Sequence, residues 1–139
     1  MALEHRLLIF VFRRRSSGVE YLFERRHPVA EFGWTPIPTE VGPAESLESA
    51  VHRSMQVEWH APPPDRLLDL KVCGHLSVGD LDLIDWGVGY GVRPAWDPCA
   101  GRPPVRADLV WQPLPVGLEM LEEESARRAL FRLHLEAAG

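Results

Sequence analysis

The chain opens with an unbroken apolar run, Leu7 to Phe12, inside a segment from Arg6 to Arg13 rich in β-branched and aromatic residues. Ser16-Ser17-Gly18 then supplies a turn, and Val19 to Arg25 resumes with Val19, Tyr21 and Phe23 alternating against Glu20, Leu22 and Glu24. The two segments read as a hairpin or a neighbouring strand pair. Gly33 to Ile37 predicts a short strand entering a Pro-rich loop. From Glu45 to Trp59 the period changes. Leu47, Ala50, Val51, Met55 and Val57 or Trp59 recur at helical spacing, with Pro43 ahead and Pro62-Pro63-Pro64 behind, which predicts an amphipathic helix. Strand character returns over Leu67 to Val78, Ile84 to Val92 and Ala107 to Leu114. Glu122 to Ala137 has acids in its first turn and Ala126, Ala129, Leu130, Leu133 and Ala137 on one stripe, the pattern of a second helix. The order β-β-β-α-β-β-β-α predicts an α+β fold, a mixed sheet flanked by helices.

Composition narrows the function classes. With 139 residues, 45% hydrophobic and 25% charged, the chain is expected to form a single globular domain over 1–139. A net charge of -5 argues against a general nucleic-acid binder, whose footprint is a basic excess. No apolar run reaches the roughly 18 residues of a membrane span, and the basic residues follow the first apolar run instead of preceding it as in a secretory signal. No membrane partner and a cytoplasmic location are therefore expected. Cys73 and Cys99 are too few and too far apart for a disulfide framework or a cysteine zinc site, and neither has the basic neighbours of a nucleophile. Fourteen Arg stand against the single Lys71. Arg13, Arg14 and Arg15 lie beside a turn and are expected to be solvated, whereas Arg25 and Arg26 end a strand. The run from Gly87 to Gly91, with glycine at every second position, has no helix after it. It is therefore no dinucleotide loop, but a strand along which a ligand or backbone can approach closely.

The first predicted helix carries the informative spacing. Arg53 follows Glu45 by eight positions, Met55 is apolar, Glu58 is acidic, and Trp34 stands eleven residues before Glu45. Residues 39 to 61 thereby resemble a worn Nudix box, G-x5-E-x7-R-E-U-x-E-E-x-G-U, with U a bulky apolar residue. Leu22 to Arg26 looks like that family's second strand, and Leu109 to Leu114 looks like its late strand carrying a Trp. The resemblance implies a Nudix-like α/β/α sandwich and cleavage of nucleoside diphosphate-linked pyrophosphates with Mg²⁺ or Mn²⁺. It implies catalytic placement for Glu45, Arg53 and Glu58, with Glu58 also a metal ligand. Asp108 would be a loosely matched second ligand, and Arg25 and Arg26 would be phosphate-binding. Trp34 is open to two readings, loop packing or a stacking platform for a base. Glu45 and Arg53 would also brace loop against helix.

The departures bear directly on chemistry. Thr39 stands where the box has Gly, Ser54 and Val57 where it has Glu, and His60 where it has its closing Gly. On an α-helix positions 54, 57 and 58 share one face, where three carboxylates would gather hard cations that bridge phosphate oxygens. Here that face offers a hydroxyl, an isopropyl group and one carboxylate. Three readings stay open. One is a divergent hydrolase with weak or relocated metal-dependent activity, its site rebuilt from Glu58, Asp108 and Glu40. Another is a catalytically inactive Nudix-fold module binding a nucleotide or protein. The last is a scaffold or homodimer subunit with no small ligand and no cofactor.

Overall fold

The structure, a computed structural model, describes residues 2–26, 33–100 and 107–138. Strands β1 (Ala2–Arg15), β2 (Gly18–Arg26), β3 (Ile37–Glu40), β4 (Arg66–Val78), β5 (Leu81–Val92) and β6 (Ala107–Pro113) form one mixed sheet of order β4-β5-β1-β2-β6. Helix α1 (Leu47–His52) runs directly into a π-helical segment, Arg53–Glu58, and α2 (Leu114–Met120) and α3 (Glu124–Ala137) close the chain. Among the described residues no helix is long and apolar enough to cross a membrane.

The apolar run of β1 lacks the alternation of a half-exposed strand because β1 is buried on both faces. Leu7, Ile9 and Val11 pack with Ala50, Val51, Met55 and Trp59 on one side of the sheet. Leu8, Phe10 and Phe12 pack with Ala126, Ala129, Leu130 and Leu133 of α3 on the other. Each fully buried Val, Leu, Ile, Phe or Met side chain among these contributes roughly 1.5–3 kcal/mol. Strand β1 runs parallel to β5 along one edge. Its other edge changes partner. Phe12 to Arg15 pair antiparallel with β2, and Arg6 to Ile9 pair antiparallel with β3. This switch brings Thr39 and Glu40 of β3 beside Arg6.

Several sequence-based expectations shift. The third strand lies at Ile37–Glu40, and Thr35 only bridges to Glu24. Residues 114–120 form α2, a helix the sequence reading did not foresee, which starts at Leu114 and carries Pro115 in its first turn. Arg13 is not solvated. Strand alternation turns it onto the face with Val11, where it is 6% exposed, bonded to Glu20 at 2.9 Å and 4.1 Å from the ring centroid of Trp111. The glycines of β5 admit side chains: a Cβ at Gly89 would lie 2.5 Å from Leu133 Cδ1. The end of α3 is capped by arginines from the sheet. Arg14 donates to the carbonyl of Ala137, and Arg66 Nη1 donates to that of Glu136 at 3.0 Å.

Candidate functional site

The candidate site lies where the edge of β1 passes from β2 to β3 and meets the α1–π helix. Helix α1 is capped by Ser46, whose hydroxyl accepts from the Ser49 amide at 3.1 Å. After His52 the helix widens, and the Trp59 amide donates to the Ser54 carbonyl, five residues back, at 3.1 Å. A π-turn advances by about 80° per residue instead of 100°, leaving residues three apart about a third of a turn from one another. The face expected for positions 54, 57 and 58 is thus split. Ser54 is 1% exposed and faces the core, whereas Val57 is 59% exposed. The helix ends at His60, whose φ of 56° is the left-handed conformation that favours glycine.

Arg53 organises this end of the site. Its Nε and Nη2 each lie 2.9 Å from the Glu45 carboxylate, as Nε donates to Oε2 and Nη2 to Oε1. Nη2 also donates to the Glu40 carbonyl at 2.7 Å, and Nη1 donates to Glu58 Oε1 at 3.1 Å. Arg53 and the Gly42 amide hold the Glu45 carboxyl at about 2, well below its ordinary 4.5, and the same contact with Glu45 raises the Arg53 guanidinium. Glu45, Arg53 and Glu58 therefore form one ion-pair cluster. Thr39 and Ser54 meet beside it through a buried hydroxyl–hydroxyl bond of 2.8 Å.

Arg25, Trp34 and Asp108 form a second group. Arg25 pairs with Asp108 across β2 and β6, Nη2 to Oδ2 at 3.1 Å, and its guanidinium carbon lies 4.6 Å from the Trp34 ring centroid. The Asp108 carboxylate is thus engaged on β6, and the cleft that Glu58 lines does not include it. Arg26 pairs with Ala107 through the backbone, and its side chain lies outside the described residues.

Two adjoining hollows complete the site. One is walled by Leu8, Trp34, Pro36, Leu121, Glu122 and Ala126. The other, an open cleft of about 370 Å³, is walled by Thr39, Glu40, Arg53 and Glu58. Arg6 and Pro38 line both. The sequence reading missed Arg6, although it is the charge that interrupts the apolar pattern at the start of the buried run. Buried Asp85 holds its guanidinium in a fork of two 2.8 Å bonds, which also raises its pKa. Neither cysteine is primed for attack: burial pushes the Cys73 thiol up to about 11, and desolvation together with the neighbouring Asp97 carboxylate does the same for the more exposed Cys99.

The donors present do not fit a protein-built cage for Mg²⁺ or Mn²⁺. Hard cations need several oxygen ligands with accumulated negative charge. Ser54 is turned inward, Val57 cannot ligate, Glu58 is paired with Arg53, and among the described residues no group of three or more His, Cys, Asp or Glu is placed to hold a metal.

No family model matches the sequence, and no curated protein matches it. Solved structures do match. An Ap4A hydrolase of C. elegans in a binary complex superposes with a TM-score of 0.72 at 15% identity, over 98% of each chain. The NUDIX domain of Shewanella oneidensis NrtR, complexed with ADP ribose, gives 0.72 at 17% identity, over 99% of this chain and 90% of that one. The C-terminal domain of mouse MUTYH, in complex with human PCNA, gives 0.66 at 15% identity, over 96% of this chain and 88% of that one. At these identities the likeness is one of fold: the chain has the Nudix fold, an α+β arrangement of a mixed six-stranded sheet flanked by helices.

Proposed function

We propose that this chain is a nucleotide-binding module on the Nudix fold, taking a nucleoside diphosphate or related pyrophosphate-bearing ligand, with metal-dependent hydrolysis weak or lost. The observation that carries this reading is the join between the two hollows. A cavity with an aromatic wall at Trp34 suits a base, the adjoining cleft presents Arg53, and Arg6 lines both. Guanidinium groups bind phosphate oxygens without a metal, and a fork already held by Asp85 loses little freedom on doing so. The ADP ribose bound by the NrtR domain is a ligand of the same chemical class. Arg53 pairs with both Glu45 and Glu58, so these three groups keep a single net negative charge, short of the accumulated charge that a hard cation calls for.

A second reading, slow hydrolysis with the metal carried in on the ligand's phosphates, is favoured by one observation: Glu40 and Glu58 line the same cleft. Calorimetric titration separates the two. ADP and ADP-ribose are titrated into the protein with EDTA, then with Mg²⁺ or Mn²⁺, and the mixtures are assayed for released nucleotide. The binding module binds in EDTA, gains less than threefold from metal, releases no product, and loses at least tenfold affinity in Arg6→Ala. Turnover that requires Mn²⁺ and disappears in Glu58→Gln replaces it with the hydrolase reading. An absence of nucleotide binding under every condition overturns both.

A further inference from the structure

We infer that the outer edge of β4 from Gly74 to Val78 pairs antiparallel with the same edge of a second copy, about a two-fold axis at Leu76. This surface lies apart from both hollows and does not depend on what they bind. Strand β4 ends the sheet, and among the described residues its outer edge has no strand neighbour. Most of that edge is guarded. The register breaks between Asp69 and Lys71 and again between Val72 and Gly74. Lys71 stands out between them at a φ of 62°, and Arg132 of α3 occupies the Leu70 carbonyl. Bulges and an exposed lysine are the devices that keep an edge from pairing. From Gly74 to Val78 the register with β5 is regular, and the stretch carries neither bulge, lysine nor proline.

The turn decides which backbone groups this stretch offers. Gly79 and Asp80 form a two-residue turn, with Gly79 at a φ of 59°. The pair flanking such a turn is hydrogen-bonded, and bonded and non-bonded pairs then alternate. Val78 and Leu76 therefore bond to Leu81 and Leu83, while His75 and Ser77 aim their N–H and C=O groups at the open edge. Both helices near β4 lie towards its other end. Helix α3 meets Gly74 at Ser125 and runs away from the turn, past Leu70 to Arg66. On the other face α1 shares a hollow with Leu67 and Asp69.

The register and side chains of this edge match its own copy. With the axis at Leu76, His75 of each copy exchanges both backbone bonds with Ser77 of the other, which uses every open group of the two residues. An axis at His75 would set Ser77 against Cys73 inside the bulge, and one at Ser77 would set His75 against Gly79 in the turn. Leu76, 56% exposed, then meets Leu76 in the non-bonded position where side chains approach most closely. On the opposite face lies His75, 3.4 Å from its own Asp82. It meets the Ser77 hydroxyl that donates to the second copy's Asp82, so an acid and a base face each other twice across the axis. Such a contact is isologous and closes at two copies.

The test is sedimentation equilibrium of the full chain from about 10 μM to about 1 mM, because a short edge gives a weak, reversible dimer. The expected result is dimerisation within that range. Leu76→Lys weakens it at least tenfold, and so does Ser77→Pro, which removes an edge N–H without breaking a bond to β5. Val72→Lys places the same charge at a comparably exposed position in the guarded part, 48% exposed, and leaves dimerisation within threefold. Leu76→Cys adds a readout of register: mild oxidation links it to itself well above the background from Cys73 and Cys99 in the wild type. A wild type that stays monomeric overturns the second copy as occupant and leaves the edge to an extended segment of another protein. A dimer that survives both Leu76→Lys and Ser77→Pro, that Val72→Lys weakens equally, or that Leu76→Cys fails to link, overturns the pairing as drawn.

Discussion

Thr39 Oγ1 donates to Ser54 Oγ across 2.8 Å, with both residues buried. Seen against the box the sequence resembles, these are the positions of a glycine and a glutamate. The departure at one is matched by the departure at the other: the inward-facing hydroxyl of Ser54 has a partner because position 39 carries a hydroxyl. Loss of the carboxylate and change of the loop residue form one local rearrangement, which the π-turn accommodates by facing position 54 to the core.

The π-turn predicts opposite outcomes for the same substitution three residues apart. Ser54→Glu buries a charge without a partner and is expected to destabilise the fold by more than about 3 kcal/mol. Val57→Glu lies on the exposed side and is expected to change stability by less than about 0.5 kcal/mol. Urea unfolding of both variants checks this, and comparable losses would contradict the split face.

The ion pair of Arg53 predicts a pH dependence. The Glu45 carboxyl is held at about 2 against an ordinary 4.5, so its folded-state value is depressed. The stability it contributes is fully present above 4.5 and is lost as pH falls towards about 2. Arg53→Ala removes the principal cause, so the stability gap between wild type and variant is expected to be widest near neutrality and to close over that window. Unfolding midpoints across the acid range measure the gap. A gap that stays constant as pH falls would exclude the linkage. Because the pair is solvent-exposed, the gap should also narrow in high salt.

His60 holds a backbone conformation that costs a non-glycine residue about 1–2 kcal/mol. Restoring glycine returns part of that in unfolded-state entropy, about 0.4–1 kcal/mol. His60→Gly is therefore expected to be stabilising by up to about 1 kcal/mol, visible as a raised denaturant midpoint with an unchanged slope. A destabilised His60→Gly protein would mean that the imidazole contributes more than its strain costs.

Packing at Gly89 predicts a coupling. A methyl there meets Leu133 Cδ1 at 2.5 Å in a buried layer, so Gly89→Ala is expected to cost about 1–3 kcal/mol by overpacking. Leu133→Ala alone is expected to cost about 2–5 kcal/mol by leaving a cavity. In the double variant the new methyl enters the vacated space, and the combined loss should fall short of the sum. Strict additivity would mean the two side chains do not share that volume.

Much of this architecture follows from local pattern. The doubly buried β1, the alternation in β2, the proline-bounded helix and the apolar stripe of α3 are short-range signals, because burial on one or two faces leaves a period in the chain. Short α2 left no such trace, since seven residues after a strand barely establish a helical repeat. The box spacing likewise placed Glu45, Arg53 and Glu58 on one short stretch, where helix geometry makes neighbours of residues close in sequence. What it could not convey was the type of turn: α and π windings share the same residues and differ in which carbonyl accepts each amide.

The sequence by itself determined most of the elements, the apolar stripe of the longer ones, and the loss of three of the box positions that matter for metal and loop geometry. Only the tertiary structure decided that Arg6 lines both hollows, that Asp108 serves Arg25 on β6 while Glu58 serves Arg53, and that Glu122 stands beside Trp34. Those pairings join residues as much as 89 positions apart along the chain, such as 33 and 122. They depend on sheet order and on the change of partner along β1, which backbone hydrogen bonding and two-sided burial settle together and which no local period in the sequence records.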